Sequence, residues 1–482
     1  MTWLDAPDYR LTRLVADRGL GLIYLLAFVA VLDQFPALLG EHGLLPVPGF
    51  LRGTRFRDAP SLFHFGYSDR RLRVVGWVGV ALSAAIVLGL PQVAPLPVTM
   101  LAWLVLWVLY LSIVNVGQTF YSFGWESLLL EAGFLAIFLG NDRTAPPFLV
   151  ILLFRWLAFR LELGAGLIKL RGDPCWRDLT CMDYHHETQP MPNPLSRFFH
   201  RRPPAFHRLE VIGNYAAQLV APVLLFLPQP VAAIGGVVML GTQAYLLVSG
   251  NYAWLNALTL VVTVSAIPDS WIRAVLPGLA SAVPMPGATP PAFTAAVIVL
   301  TAVVVVLSWW PVRNMIGRRQ RMNVSFNRYH LVNTYGAFGS VTRERFEVVI
   351  EGSADEAGAE GSWKEYEFLG KPTDVHRRPP QVAPYHLRLD WLMWFAALSP
   401  AYAREWLVAF VGKLLEGDRA TLRLLRRNPF PEAPPLLVRA RYYRYRFATA
   451  EERRATGAWW QRELAGEYLP AVRLSAAPGP QA

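Results

Sequence analysis

Two long stretches of this chain, residues 74–125 and 211–268, contain no Asp, Glu, Lys or Arg. A helix on a water-exposed surface needs a polar face, so stretches this long without charge exclude an ordinary soluble helical core. A helix rises about 1.5 Å per residue and a bilayer core is about 30 Å thick, so roughly 20 residues make one crossing. The first stretch has room for about two crossings and the second for nearly three. Along the whole chain, apolar segments at 20–39, 74–90, 98–116, 124–140, 148–170, 211–227, 231–249, 252–267 and 292–310 are candidate spans. Pro91, Pro95, Pro146, Pro147, Pro228 and Pro230 fall in the gaps, where a missing backbone donor is tolerated. The segment from Tyr252 is short enough to be re-entrant, which gives a count of eight to nine. The first span follows Arg10, Arg13 and Arg18 and is too long for a cleaved signal peptide, so it reads as a retained helix. The expectation is a mainly α, polytopic membrane protein.

After Trp310 the composition becomes that of ordinary soluble sequence, with Arg313, Arg318, Arg319 and Arg321 at the edge. The chain therefore divides into a transmembrane domain, 1–312, with large loops at 40–73 and 171–208, and a soluble α+β domain, 313–482. Alternation around Phe346, Val348 and Ile350 and around Trp363, Tyr366 and Phe368 predicts a hairpin across the Gly- and acid-rich connection 352–361. Amphipathic helices are expected at 386–398 and 404–416, and a strand at 438–447. That strand alternates Arg439, Arg441, Arg444 and Arg446 with Tyr442, Tyr443 and Tyr445. A strand with one wet face explains this better than a nucleic-acid platform, because no nucleic-acid-binding motif accompanies it. The net charge of +11 is placed beside the spans and in the loops, where it suits contact with anionic headgroups.

Charges inside candidate spans are costly unless paired or facing a cavity. Arg155, Glu162 and Lys169 are spaced seven and seven, on one helix face, and Glu126 and Glu131 lie in the preceding span. A buried ionic network joining the two helices is the economical reading, as packing glue or, alternatively, as a catalytic centre or a proton path. Gly164 and Gly166 permit close helix approach. Asn115, Gln118, Asn214, Gln218 and Gln243 are polar residues in or near spans that can bond between helices. The only two cysteines, Cys175 and Cys181, are close enough for a local disulfide in an oxidising compartment. His185, His186 and Glu187 follow, but the spacing does not fit a zinc site. No cofactor signature, phosphate loop or GxSxG nucleophile elbow is present.

The runs RWLAFRLELGAGLIKL and GDPCWRDLTCMDYHHETQPMPNPLSRFFH resemble the lipase maturation factor family. So do FNRYHLVNTYGAFGSVTRERFEVVIEGS, PYHLRLDWLMWFAAL and LLEGDRATLRLLRRNPFPEAPPLLVRARYYRYRF, and the likeness covers nearly everything from Trp125 onward. The resemblance implies a chaperone-like membrane protein that helps an exported client, such as a secreted lipase, reach its active form, and not an enzyme. It marks the loop motif of Asp183, His185, Glu187 and Pro190. Tyr335, Phe338, Trp391 and Trp394 are candidate client contacts, set against the ordinary tendency of large aromatics to form core. Eukaryotic members of the family imply the endoplasmic-reticulum membrane. The Arg-, Ala- and Pro-rich composition and the lack of a Lys/Asp-Glu-Leu ending suggest a bacterial relative in an inner membrane. The transmembrane part is also distantly similar to vitamin K dependent carboxylases, which supports the alternative of an intramembrane enzyme. A transporter ranks last, because no internal repeat is found.

Topology sets two rules against each other. With a cytoplasmic N-terminus, nine crossings place the cysteine loop and the tail outside, where disulfides form. The positive-inside rule predicts the reverse for Arg52, Arg55, Arg57, Arg70, Arg71 and Arg73. Cysteine placement takes precedence, because long domains follow that rule poorly.

Overall fold

The computed structural model describes residues 4–282 and 287–474. Helix α1 (Arg10–Leu39) packs antiparallel to α2 (Asp69–Leu88), with Gly76 and Gly79 of α2 leaving room for Leu32 and Phe28. The Ser68 hydroxyl accepts the Arg71 amide at 3.2 Å to start α2, and Gly89 ends it with a left-handed φ of 86°. There follow α3 (Leu96–Val116), α4 (Gly124–Ala136), α5 (Phe148–Arg171), the short α6 (Met182–Thr188) and α7 (Pro204–Tyr215). A π turn, Ala216–Val220, continues α7. Then come α8 (Val231–Ser249), α9 (Leu255–Thr263), α10 (Asp269–Val275) and α11 (Pro291–Leu307).

Among the described residues, five helices are long and apolar enough to cross a membrane: Pro7–Leu39, Asp69–Leu88, Leu96–Val116, Val231–Ser249 and Pro291–Ile316. Leu255–Ala266 and Asp269–Val275, bent by 119° at Pro268, make a sixth if taken as one broken span. The expected eight to nine are not reached on length and apolarity, for clear reasons. Helix α4 has 13 residues, about 20 Å of rise. Helix α5 carries Arg155, Arg160 and Glu162 within its apolar length, and α7 has only 12 residues before its π turn. The first helix also starts earlier than expected, so Arg13 lies within it, buried, and donates to the Thr144 carbonyl at 2.7 Å.

The large loops and the C-terminal region share one end of the helix bundle. Gln118 donates to the Leu45 carbonyl at 2.9 Å, Asn115 to the Pro60 and Arg328 carbonyls at 2.8 and 3.1 Å, and Asn193 to the Val248 carbonyl at 2.6 Å. At the opposite end, Asp5 bridges Pro147, and Arg155 donates to the Ser265 and Leu225 carbonyls at 3.0 and 3.1 Å.

The C-terminal region is α+β. An antiparallel sheet of order β2-β1-β5-β6 is formed by β1 (Arg345–Ser353), β2 (Lys364–Glu365), β5 (Leu437–Phe447) and β6 (Trp460–Val472). The expected hairpin pairs Glu351 with Glu365, but the chain then leaves the sheet, and β3 (Glu367–Phe368) pairs with β4 (Leu425–Arg427) instead. In β5, Tyr443 and Tyr445 are buried while Arg444 and Arg446 are exposed, so the Arg/Tyr alternation is a strand with one wet face. Helix α12 (Arg388–Leu398) lies against this sheet, where Tyr442 and Tyr468 donate to its Ala397 and Ala396 carbonyls at 2.8 and 2.9 Å. Helix α13 (Leu407–Leu415) follows it. One apolar core runs without a break from Leu20 and Phe28 of α1 through Trp254 and Trp391 to Ile350 and Val438 of the sheet.

Candidate functional site

The charged residues of the spans do not form one constellation. Glu131 pairs with Arg160, which the seven-residue spacing leaves out, and also accepts the Tyr335 hydroxyl and the Asn333 amide at 2.7 and 2.9 Å. Glu126 accepts from Arg388 of α12 at 2.7 Å and from the Tyr110 hydroxyl. Arg155 sits at the far end of the bundle, bonded to the Tyr9 hydroxyl at 2.7 Å and to backbone carbonyls. Only Glu162 and Lys169 share a site.

That site is a cavity of about 810 Å³ between α5, α7, α8 and α9, closed on one side by the segment 335–342 and by α12. Its polar wall is a continuous chain of hydrogen bonds. Lys169 donates to the Asn214 and Gln218 side-chain oxygens at 2.9 and 3.0 Å. Gln218 donates to Glu162 at 3.1 Å, Gln243 donates to the other oxygen of Glu162 at 2.6 Å, and Asn256 donates to Gln243 at 2.9 Å. The π turn carries Gln218 to this position, and Gly166 gives it space: a Cβ there would lie 2.6 Å from Leu219 and 3.0 Å from Gln218. Gly164 likewise admits the Tyr335 carbonyl, which a Cβ would meet at 2.5 Å.

The rest of the wall is aromatic. Trp176 lies under the Lys169 ammonium, 4.8 Å from ring centroid to nitrogen. The four aromatic candidates all line this cavity: Tyr335 and Trp391 are buried, Phe338 and Trp394 half-buried. Phe338 packs edge-on to His185 at 5.1 Å, and Trp394 donates to the Thr188 carbonyl at 3.1 Å.

The motif that follows the cysteines joins this cavity to the C-terminal region. Cys175 and Cys181 form a disulfide, with Cα atoms 4.8 Å apart, among Trp176, Met182, Val211 and Val341. Asp183 bonds His207 Nδ1 at 2.8 Å, and His185 Nε2 bonds the Tyr252 hydroxyl at 2.9 Å. Burial and the adjacent His186 hold His185 well below the ordinary imidazole pKa, so it is neutral. Glu187 accepts the Phe447 amide at 2.6 Å. Arg345 of β1 reaches back to the carbonyls of Glu187, Gln189 and Pro190 at 3.0, 2.5 and 3.3 Å and pairs with Glu347. Arg160, Asn256, Arg345, His386 and Arg388 were not singled out from sequence. Each finds its partner more than 10 residues away, so no local spacing marks it. Among the described residues no group of three or more His, Cys, Asp or Glu could hold a metal ion.

The model of the lipase maturation factor transmembrane domain matches residues 11–274, and that of the lipase maturation factor C-terminal domain matches 331–470. The chain is 42% identical to human lipase maturation factor 1 over 98% of its own length and 89% of that protein. It is 40% identical to the mouse protein of the same name over 98% of this chain and 88% of that one. Lipase maturation factor 2 of Xenopus tropicalis is 28% identical, covering 97% of this chain and 83% of its own. No solved structure matches the chain significantly.

Proposed function

Because this chain belongs to the lipase maturation factor family, we propose that it is a membrane-embedded maturation factor whose client is an exported protein of the lipase class. The observation that carries this reading is the match of both the membrane unit and the C-terminal unit, in the order and over nearly the length of the relatives. The bundle end that bears the C-terminal region also bears the disulfide, which needs an oxidising compartment. On this reading that end faces the lumen of the endoplasmic reticulum in a eukaryotic cell, or the periplasm from a bacterial inner membrane, and the N-terminus faces the cytoplasm. Nine passages fit this orientation if α4, α5 and α7 with its π turn also cross, their polar groups turned to neighbouring helices rather than to lipid. Residues 313–482 are the client-facing domain, held on the membrane unit by Arg345 and Arg388.

Two measurements test the reading. With both native cysteines replaced by alanine, Arg427→Cys at an exposed position of the C-terminal region should be labelled by a membrane-impermeant thiol reagent only from the non-cytosolic side, on intact bacteria or in microsomes whose lumen has been opened; labelling from the cytosolic side removes the folding role. Crosslinking with the full chain should recover an exported protein. Recovery of cytosolic proteins alone counts against it.

A further inference from the structure

We propose that the cavity binds an uncharged, single-chain amphiphile that enters from the bilayer through a window between α7 and α8. The two helices meet at two levels. Just past the π turn, Gly235 lies against Ala221, whose carbonyl oxygen would be 2.8 Å from an added Cβ. Near the other end, the Tyr245 hydroxyl donates to Glu210, which also accepts from His186 Nε2 at 2.9 Å. Between these levels, Gly213 of α7 and Gly241 of α8 both line the cavity, and a Cβ added to either meets nothing within 4 Å. The rim is apolar and open: Leu209, Val237 and Val238 are 65%, 47% and 40% exposed. Helix α8 is among those long and apolar enough to cross the membrane, so the window opens into lipid.

The interior selects the ligand's chemistry. A volume of 810 Å³ falls in the range of roughly 300–1,000 Å³ that encloses one small ligand. Aromatic side chains supply an apolar wall for a chain, while the polar row from Lys169 to Asn256 supplies a place for a head. Buried polar groups are costly without partners. Yet Lys169 makes only two side-chain hydrogen bonds for its three N–H donors, with the Trp176 ring as its one further neighbour of favourable charge, and the Asn256 Oδ1, in a residue 2% exposed, has no hydrogen-bond partner among the described residues. These are a donor and an acceptor, suited to a head with carbonyl and hydroxyl groups. The Lys169 ammonium and the Glu162 carboxylate, bridged by Gln218, balance each other, and Glu210 at the window adds a second carboxylate. A charged head of either sign would sit beside a like charge.

The test uses the purified full chain in phosphatidylcholine nanodiscs and a monoacylglycerol carrying a photoactivatable group in its chain, competed with unlabelled monoacylglycerol or with oleate. Saturable crosslinking to α7, α8 or α9, displaced by monoacylglycerol better than by oleate, is expected. The paired substitutions Gly213→Leu and Gly241→Leu should abolish it with the melting temperature unchanged or raised, since glycine in a helix interior is replaced without a clash. Lys169→Met should weaken displacement about tenfold, the equivalent of one hydrogen bond to a charged group. Labelling that is unsaturable, that survives the two leucines, or that oleate displaces better overturns the proposal. Because no client is present, any of these results leaves the family reading intact.

Discussion

Glu126 and Arg388 are both fully shielded from water, 2.7 Å apart, with the guanidinium stacked 3.4 Å from the Tyr121 ring centroid. A buried pair of this kind adds little net stability, but half of it is far worse than none. Glu126→Gln should therefore cost about 3–5 kcal/mol. The double variant Glu126→Leu with Arg388→Leu should melt above the temperature expected from adding the losses of Glu126→Leu and Arg388→Leu made singly; strict additivity in detergent melting curves would show that the two groups are not coupled. His386 stands beside them, with Nδ1 accepting the Trp125 indole N–H at 3.3 Å. Burial first, and then the neighbouring Arg388 charge, lower its pKa to about 4 from the ordinary value of 6.5. The unfolded chain thus takes up this proton before the folded one does. The stability that the neutral ring contributes is complete above pH 6.5 and is lost as the pH falls from there towards about 4. His386→Gln should flatten the decline of melting temperature over that interval, and parallel profiles for variant and parent would refute this assignment.

At the level of single elements, the disulfide closes a loop of sequence separation 6 and fixes Trp176 beneath Lys169. Replacing both cysteines by alanine should cost about 2 kcal/mol, the entropy of closing so short a loop. Limited proteolysis should then cut first within 172–190; an unchanged cleavage pattern would mean that Arg345 and the His185–Tyr252 bond hold the segment by themselves. Sequence was most legible where one element's own composition decides its fate. The long apolar helices α2, α3, α8 and α11 lie within a few residues of expectation, and so does β5. It was least legible where distant partners decide. Arg160 is two residues from Glu162 and so points to another side of α5, where Glu131 and the Asn333 carbonyl meet it. Strand β6 carries Glu463, Gly466, Glu467 and Pro470, a poor strand sequence that pairing with β5 overrides.

For the molecule as a whole, the C-terminal region is not simply tethered to the membrane unit. Arg345 donates to carbonyls of the cysteine-loop segment, Arg388 to Glu126 and the Phe120 carbonyl, and Gln34 of α1 to the His386 carbonyl at 2.7 Å. Residues 313–482 expressed alone would expose these buried cations and the apolar face of α12. No cooperative melting transition is expected from that fragment, whereas the full chain should melt with its sheet and helices together; a sharp transition in the fragment would show that the interface is dispensable. The cavity was only partly legible for the same reason. Gln218, Gln243 and Lys169 stand out as polar residues in greasy sequence, but nothing local says that four helices bring them together. The π turn at Ala216–Val220 has one more implication. Each residue of a helix advances its side chains by about 100° around the axis, so excising one residue there would put Glu210 and Gly213 out of phase with α8. Chain length at this wide turn, more than the identity of Ala216 or Val220, therefore keeps the two flanks of the helix in step.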